Sequence, residues 1–165
     1  MSLKTLLVHL DGGARCAARV ELAIEIARRH GSHLLGLAPT GLPDVIVTLN
    51  SEVPDQVEFI ELSAAALQER AEAAVEAFER QVAHGDLVST EARVVRAEPL
   101  DAVVQASRCC DLLIVGQTDR AGNVAGVAWD FPRHAVLQGG VPVLVVPFAG
   151  TFSQAGECVL VAWKD

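Results

Sequence analysis

Aromatic side chains are scarce, at 4% of 165 residues, although 51% of the chain is hydrophobic. A core with so few rings has to be made of Val, Leu, Ile and Ala, which suits parallel strands covered by helices on both faces. Long apolar runs are also missing. No stretch reaches the roughly 18 residues expected of a membrane-spanning helix. The opening MSLKTLLVHLDGG has no signal-peptide cleavage pattern, so a cytoplasmic setting is expected. Basic residues are outnumbered 13 to 21, a net charge of −8. An acidic domain repels phosphate backbones, so neither nucleic acid nor a membrane surface is expected as a partner. The five histidines (His9, His30, His33, His84 and His134) show no metal-ligand spacing, and no metal site is expected. The four cysteines (Cys16, Cys109, Cys110 and Cys158) form no Cys-x-x-Cys. Reduced, buried thiols are the expectation, with a redox-active Cys109–Cys110 pair as the alternative.

What is present is an alternation of short apolar runs and helical periodicities, in a chain of single-domain length. Residues 5–10, TLLVHL, form a continuous apolar run stopped by Asp11, Gly12 and Gly13. Residues 16–30 have helical spacing, with Ala17, Val20, Ile24 and Ala27 as the inward stripe and Gly31 as the stop. Residues 33–38 read as a second strand. Residues 39–55 carry three prolines and one glycine and form a long loop, expected to cover one edge of a site.

Residues 56–84 are the longest helical pattern, with Leu67, Ala71, Ala74, Phe78 and Val82 inward and Glu69, Glu72, Glu76, Glu79 and Arg80 on a solvated face. A third strand follows at 88–95. Glu98 and Pro99 then open a short helix with Leu100, Val103 and Val104 inward, and Asp111 introduces a strand at 112–115. Residues 130–138 form another short helix, with Asp130 as the expected N-cap, and residues 141–146 a fifth strand. This order predicts an open, doubly wound α/β sheet over residues 1–147.

Residues 148–156 read as a linker. Residues 157–165, ECVLVAWKD, then begin another apolar strand that parallels residues 4–12, KTLLVHLDG. The expectation is an extra strand that pairs or frays.

In such a sheet the ligand crevice lies outside the C-terminal ends of the strands, where strand order reverses. With the first strand central, that point is flanked by Asp11 and Gly12 and by Gly116, Gln117 and Thr118. Ala38, at the end of the second strand, joins the candidate site, as do Asp119, Arg120, Trp129 and Asp130 in the loop that follows the fourth. Asp11 has two compatible readings, as acceptor for a ligand's N–H or hydroxyl groups and as cap of the following helix. Asp119 and Asp130 oppose an incoming polyphosphate. Each carboxylate costs about 1–4 kcal/mol at roughly 4 Å. Arg120 and Arg133 offset part of this. No nucleophile–base constellation stands out. His9 reads as a hydrogen-bonded core histidine, and His134 has no evident partner beyond Thr118.

The run VHLDG at 8–12, CDLLIVG at 110–116 and GVPVLVV at 140–146, with the spacing between Gly116 and Pro142, resemble the universal stress protein family over about residues 3–147. The resemblance implies a five-stranded sheet of order 3-2-1-4-5 and pairing through the fifth strand, Val141 to Val146, with a second copy or a second domain of the same chain. ATP-binding members carry Gly-x-x-Gly, nine residues, then Gly-Ser or Gly-Thr. Laid on this chain, those positions fall on Gly116, Asp119, Trp129 and Asp130, and three of the four differ; Gly122 and Gly126 are off register. Asp11 matches the family's adenosine-contacting aspartate. The resemblance therefore implies a non-enzymatic stress-response or regulatory domain that acts by pairing and requires no cofactor, with a degenerate nucleotide loop. An ATP- or AMP-binding switch with slow hydrolysis is the alternative, and a thiol redox protein a weaker one. Residues 157–165 resemble the first strand of a second such domain, implying a tandem protein.

Overall fold

The computed structural model describes residues 3–41, 54–118, 127–128, 130–156 and 158–162. Helices and strands alternate without exception among them. The elements are β1 (Thr5–His9), α1 (Cys16–His30), β2 (His33–Pro39), α2 (Pro54–Val82), β3 (Ser89–Val95), α3 (Pro99–Ser107), β4 (Leu112–Gly116), α4 (Phe131–Gln138) and β5 (Val143–Val146). The five strands form one parallel sheet in the order β3-β2-β1-β4-β5. This is the doubly wound α/β architecture the sequence predicts. Most boundaries agree to within two residues; α2 starts and ends two residues earlier than its periodicity suggests.

The side-chain period of two divides the apolar runs between two cores. Leu6, Val8, Leu34 and Ile114 face α1 and α2, where Val20, Ile26, Ala74 and Phe78 meet them. Leu7, Leu35, Leu113 and Val115 face α3 and α4, where Val103, Phe131 and Ala135 close the second core. Both faces of β1 are thus covered, which is why its run is continuous rather than alternating.

Local chemistry sets the joints. Gly31 takes a left-handed φ of 63° and returns its N–H to Ala27 and Arg28 carbonyls, ending α1 as expected. Glu98 accepts the Asp101 N–H at 3.0 Å and Pro99 follows it, opening α3. Asp111 Oδ2 accepts the Lys4 and Thr5 N–H groups at 2.6 and 2.9 Å, tying the start of β1 to the start of β4. These bonds hold the exposed Asp111 carboxyl below its ordinary range.

Several expectations are corrected. The inward face of α1 is Arg19, Val20, Leu22, Ala23, Ile26 and Ala27; Ala17 is exposed and Ile24 only half-buried. Ala38 is 0% exposed and packs in the first core, so its methyl group is not open to the crevice. The cysteines are free, but Cys109 and Cys158 are exposed rather than buried. Of the two outcomes expected for the C-terminal segment, pairing or fraying, residues 158–162 show the unpaired one among the described residues, with Val159, Leu160 and Val161 73–93% exposed. Arg15 donates to the Gly150 carbonyl and Arg29 to Ala155 O at 2.7 Å, so the linker is held along α1 and brings the segment to no open strand edge. Residues 157 and 163–165, and most of the 39–55 loop, lie outside the described residues.

Candidate functional site

Strand order reverses at β1, whose two neighbours β2 and β4 come from opposite directions of winding. The chain leaves β1 through Leu10, whose N–H bonds Leu37 O at 2.8 Å, and turns at Asp11 and Gly12. Gly12 has φ +63°, a conformation that favours glycine. Asp11 Oδ1 accepts the Gly13 N–H at 2.9 Å, fixing the turn. It does not cap α1, whose N-cap is Arg15 with no side-chain bond.

The main partner of Asp11 is Arg19, which the sequence reading missed. Arg19 is 2% exposed; its Nη2 lies 2.8 Å from Asp11 Oδ1, and its Nε donates to His9 O at 2.9 Å. Its Nη1 fills the space over Gly116, where any Cβ would overlap it. Gly116, expected to admit phosphate, therefore makes room for a guanidinium belonging to the chain itself. Arg19 was detectable in principle. It lies on the 19, 20, 23, 26, 27 helical face, and a cation on an apolar face needs a nearby carboxylate.

Burial pushes the Asp11 carboxyl up, but Arg19, His9 and the Gly13 N–H outweigh it and hold it below its ordinary range. Asp11 in turn keeps Arg19 charged despite its burial. From α2, Arg70 Nε donates to the Asp11 carbonyl at 3.0 Å, and its Nη2 reaches the same oxygen.

A narrow pocket opens beside this cluster, at the C-terminal ends of β1 and β2. Its polar lining is His9, Asp11, Thr40 and Arg70, and its apolar walls include Leu67 and Pro99. His9 is 1% exposed, and its ring lies 4.6 Å from that of Phe131 at an interplanar angle of 36°. Burial, reinforced by Arg19, lowers its pKa to about 3. Its Nε2 has no hydrogen-bond partner among the described residues, contrary to the expectation of a hydrogen-bonded core histidine.

The remaining candidates are brought together only in part. Gln117 is committed to the sheet's end, its N–H donating to Val146 O at 2.8 Å and its Oε1 accepting the Phe148 N–H at 3.0 Å. Thr118 is half-buried. Asp130 precedes α4 but makes no side-chain cap; its carboxylate lies 2.8 Å from His134 Nε2 instead, one helical turn away. The i, i+4 spacing makes that pairing local, and it supplies His134 with the partner the sequence did not reveal. Asp119, Arg120 and Trp129, with Gly122 and Gly126, lie outside the described residues. Among the described residues no group of His, Cys, Asp and Glu could hold a metal, and no helix is long and apolar enough to cross a membrane. Burial, with Cys109 and Asp111 nearby, pushes the Cys110 thiol up to about 11, against a nucleophilic role.

The two sheet edges differ. β3 presents Ser89, Thr90, Glu91 and Arg93, all exposed. β5 is VLVV and, among the described residues, pairs only with β4. On α4, which touches β5, Val136 and Leu137 are 52% and 67% exposed, and Phe148, two residues past the strand, is 39% exposed.

No protein-family model matches the chain, and no curated protein matches it. Solved structures do. The hypothetical protein MJ0577 superposes with a TM-score of 0.70 at 14% identity, covering 92% of this chain and 100% of that one. A universal stress protein in complex with cAMP matches with a TM-score of 0.53 at 22% identity, covering 88% and 98%. A universal stress protein family protein from Arabidopsis thaliana with AMP bound matches with a TM-score of 0.56 at 15% identity, covering 87% and 91%. At these identities the likeness establishes architecture. The chain has the fold of the universal stress proteins.

Proposed function

We propose that this chain is a non-enzymatic, cytoplasmic regulatory domain of the stress-protein kind, which acts by pairing through β5. The observation that carries this reading is the contrast between the edges. A charged edge such as β3 resists strand addition, whereas the VLVV edge of β5, with Val136 and Leu137 exposed on α4 and Phe148 just past the strand, favours a partner. The partner is a second copy, or a second similar domain of a tandem protein; the likeness of residues 157–165 to 4–12 supports the latter source. Native mass spectrometry tests the reading. The 17.5 kDa chain is expected to run as a dimer, and Leu137→Lys, which changes an exposed side chain, is expected to return it to monomer. A monomer at micromolar concentration, or a dimer indifferent to Leu137→Lys, refutes pairing of the isolated chain through this face.

A second reading, an adenine-nucleotide switch, draws support from the pocket beside Asp11 and from the neighbours crystallised with cAMP and AMP. In this chain the loop departs from the phosphate-binding pattern at Asp119, Trp129 and Asp130, and Arg19 occupies the space above Gly116. The crevice therefore suits the nucleoside part of such a ligand better than a triphosphate. Calorimetry with adenosine, AMP and Mg²⁺·ATP separates the readings: micromolar ATP binding overturns the degenerate-loop reading, and ATP hydrolysis overturns the non-enzymatic one.

A further inference from the structure

α1 and α2 lie side by side and leave a furrow between them, away from both the crevice and the β5 edge. Gln81 bridges the two helices, its Nε2 donating to the Ala17 carbonyl at 3.1 Å. On one side of that bridge is a notch of about 240 Å³, walled by Cys16, Val20, Ala74 and Phe78. On the other the furrow widens to about 650 Å³ and reaches Gly85. The two parts share Ala17, Ala77 and Gln81 and so form one channel. From Cys16 to Arg28 it follows α1 for about 18 Å.

The wide end is basic in a chain whose net charge is −8. Arg28, from the last turn of α1, lines it together with Arg80, from the last turn of α2, and His84, two residues past that helix. The Arg28 side chain makes no hydrogen bond or ion pair among the described residues. Arg80 has only a 3.6 Å pair with Glu76, and both side chains are 69% exposed, an arrangement that contributes little. His84 Nδ1 donates to the Arg80 carbonyl at 3.0 Å, which anchors the ring and leaves Nε2 open. One carboxylate, Glu21, lines the same stretch, about 10 Å before Arg28 along α1. Cations at helix C-termini complement the helix dipole, but that role does not require them to converge on one furrow.

We propose that this furrow docks an acidic segment of a partner polypeptide, whose carboxylates meet Arg28, Arg80 and His84 and whose apolar side chain enters the notch beside Phe78. A channel this long and open encloses too little of a small metabolite and suits a stretch of chain. Glu21 and the surrounding negative charge oppose nucleic acid. A basic group on the partner, about 10 Å from its acidic end, completes the match at Glu21.

Panning a random dodecapeptide phage library on the full chain, with Arg28→Glu/Arg80→Glu as the counter-target, tests the proposal. Both arginines are exposed, and the thermal midpoint of the variant checks its fold. Enriched peptides are expected to combine two or more acidic residues with an apolar one. Fluorescence anisotropy of a labelled, enriched peptide should give an affinity about tenfold weaker for the variant, and weaker for wild type in roughly 0.5 M NaCl. Ala17→Trp, which fills the shared floor, should weaken it too. No enrichment over the variant, a consensus without acidic residues, or equal affinity for wild type and variant overturns the proposal. So does a consensus that copies the acidic run of residues 69–79, which would assign the furrow to a second copy of this chain.

Discussion

Replacing His9 by phenylalanine should change how stability depends on pH. The folded-state pKa of His9 is about 3, against 6.5 for the free side chain, because the ring is buried and faces Arg19 from α1 and Arg70 from α2, with Asp11 opposing them. Between these two values the unfolded chain binds a proton at His9 that the folded chain refuses. Stability is therefore fully present above pH 6.5 and falls as the pH is lowered towards 3. Well inside that window each pH unit removes about 1.4 kcal/mol, and since the unfolded side chain is half protonated at pH 6.5, moving from pH 6.5 to 4.5 removes about 2 kcal/mol through this one group. Carboxylates remote from His9 titrate alike in both proteins and cancel in the comparison, while Asp11, which His9 helps to hold low, keeps Arg19 as its larger partner in the variant. Urea denaturation of wild type and His9→Phe at pH 7 and pH 4.5 measures the difference. Wild type should lose about 2.5 kcal/mol more than the variant on acidification, and the variant should be at least as stable at pH 7, since it removes an unpartnered nitrogen. Parallel pH slopes for the two proteins would refute the reasoning, because they would mean that the buried ring takes up its proton as readily in the folded chain as in the unfolded one.

Gly116→Ala should destabilise the protein by about 3 kcal/mol by driving the Arg19 guanidinium away from Asp11. In an Arg19→Met background the same substitution should cost much less, and additive urea midpoints would show that the glycine serves something other than Arg19. Alkylation with iodoacetamide at pH 7.5, followed by peptide mass mapping, should label the exposed Cys109 and Cys158 well before Cys110, whose thiol titrates at about 11. Preferential labelling of Cys110 would revive the thiol-enzyme reading.

The helices and strands were legible because each carries its own periodic signal and its own stop. The α1 span, Cys16–His30, ends at a glycine after three basic residues, and β1, β2 and β4 are short Leu- and Val-rich runs. The apolar run at 157–165 shows what such signals leave open. It has strand character, but a strand exists only when an edge accepts it, and residues 158–162 meet none. Asp130 is the N-cap residue of α4 as expected, but its side chain makes no cap bond. Aspartate before a helix has several partners within reach, and here His134 competes successfully with the backbone N–H groups.

The order of apolar runs, the glycine stops and the acidic composition were sufficient, without coordinates, for a doubly wound parallel sheet with its crevice at Asp11 and Gly116. They were sufficient because hydrophobic period and turn chemistry act over a few neighbouring residues. Tertiary structure alone decided what fills that crevice. Arg19 meets Asp11 across a turn and a helix, Gly116 makes room for a guanidinium from 97 positions earlier in the chain, and the buried His9 ring lies against Phe131 of α4 with no partner for its Nε2 among the described residues. Those relations depend on distances between elements that no local pattern encodes. They turn what reads as a worn phosphate loop into a buried ion pair beside a narrow pocket.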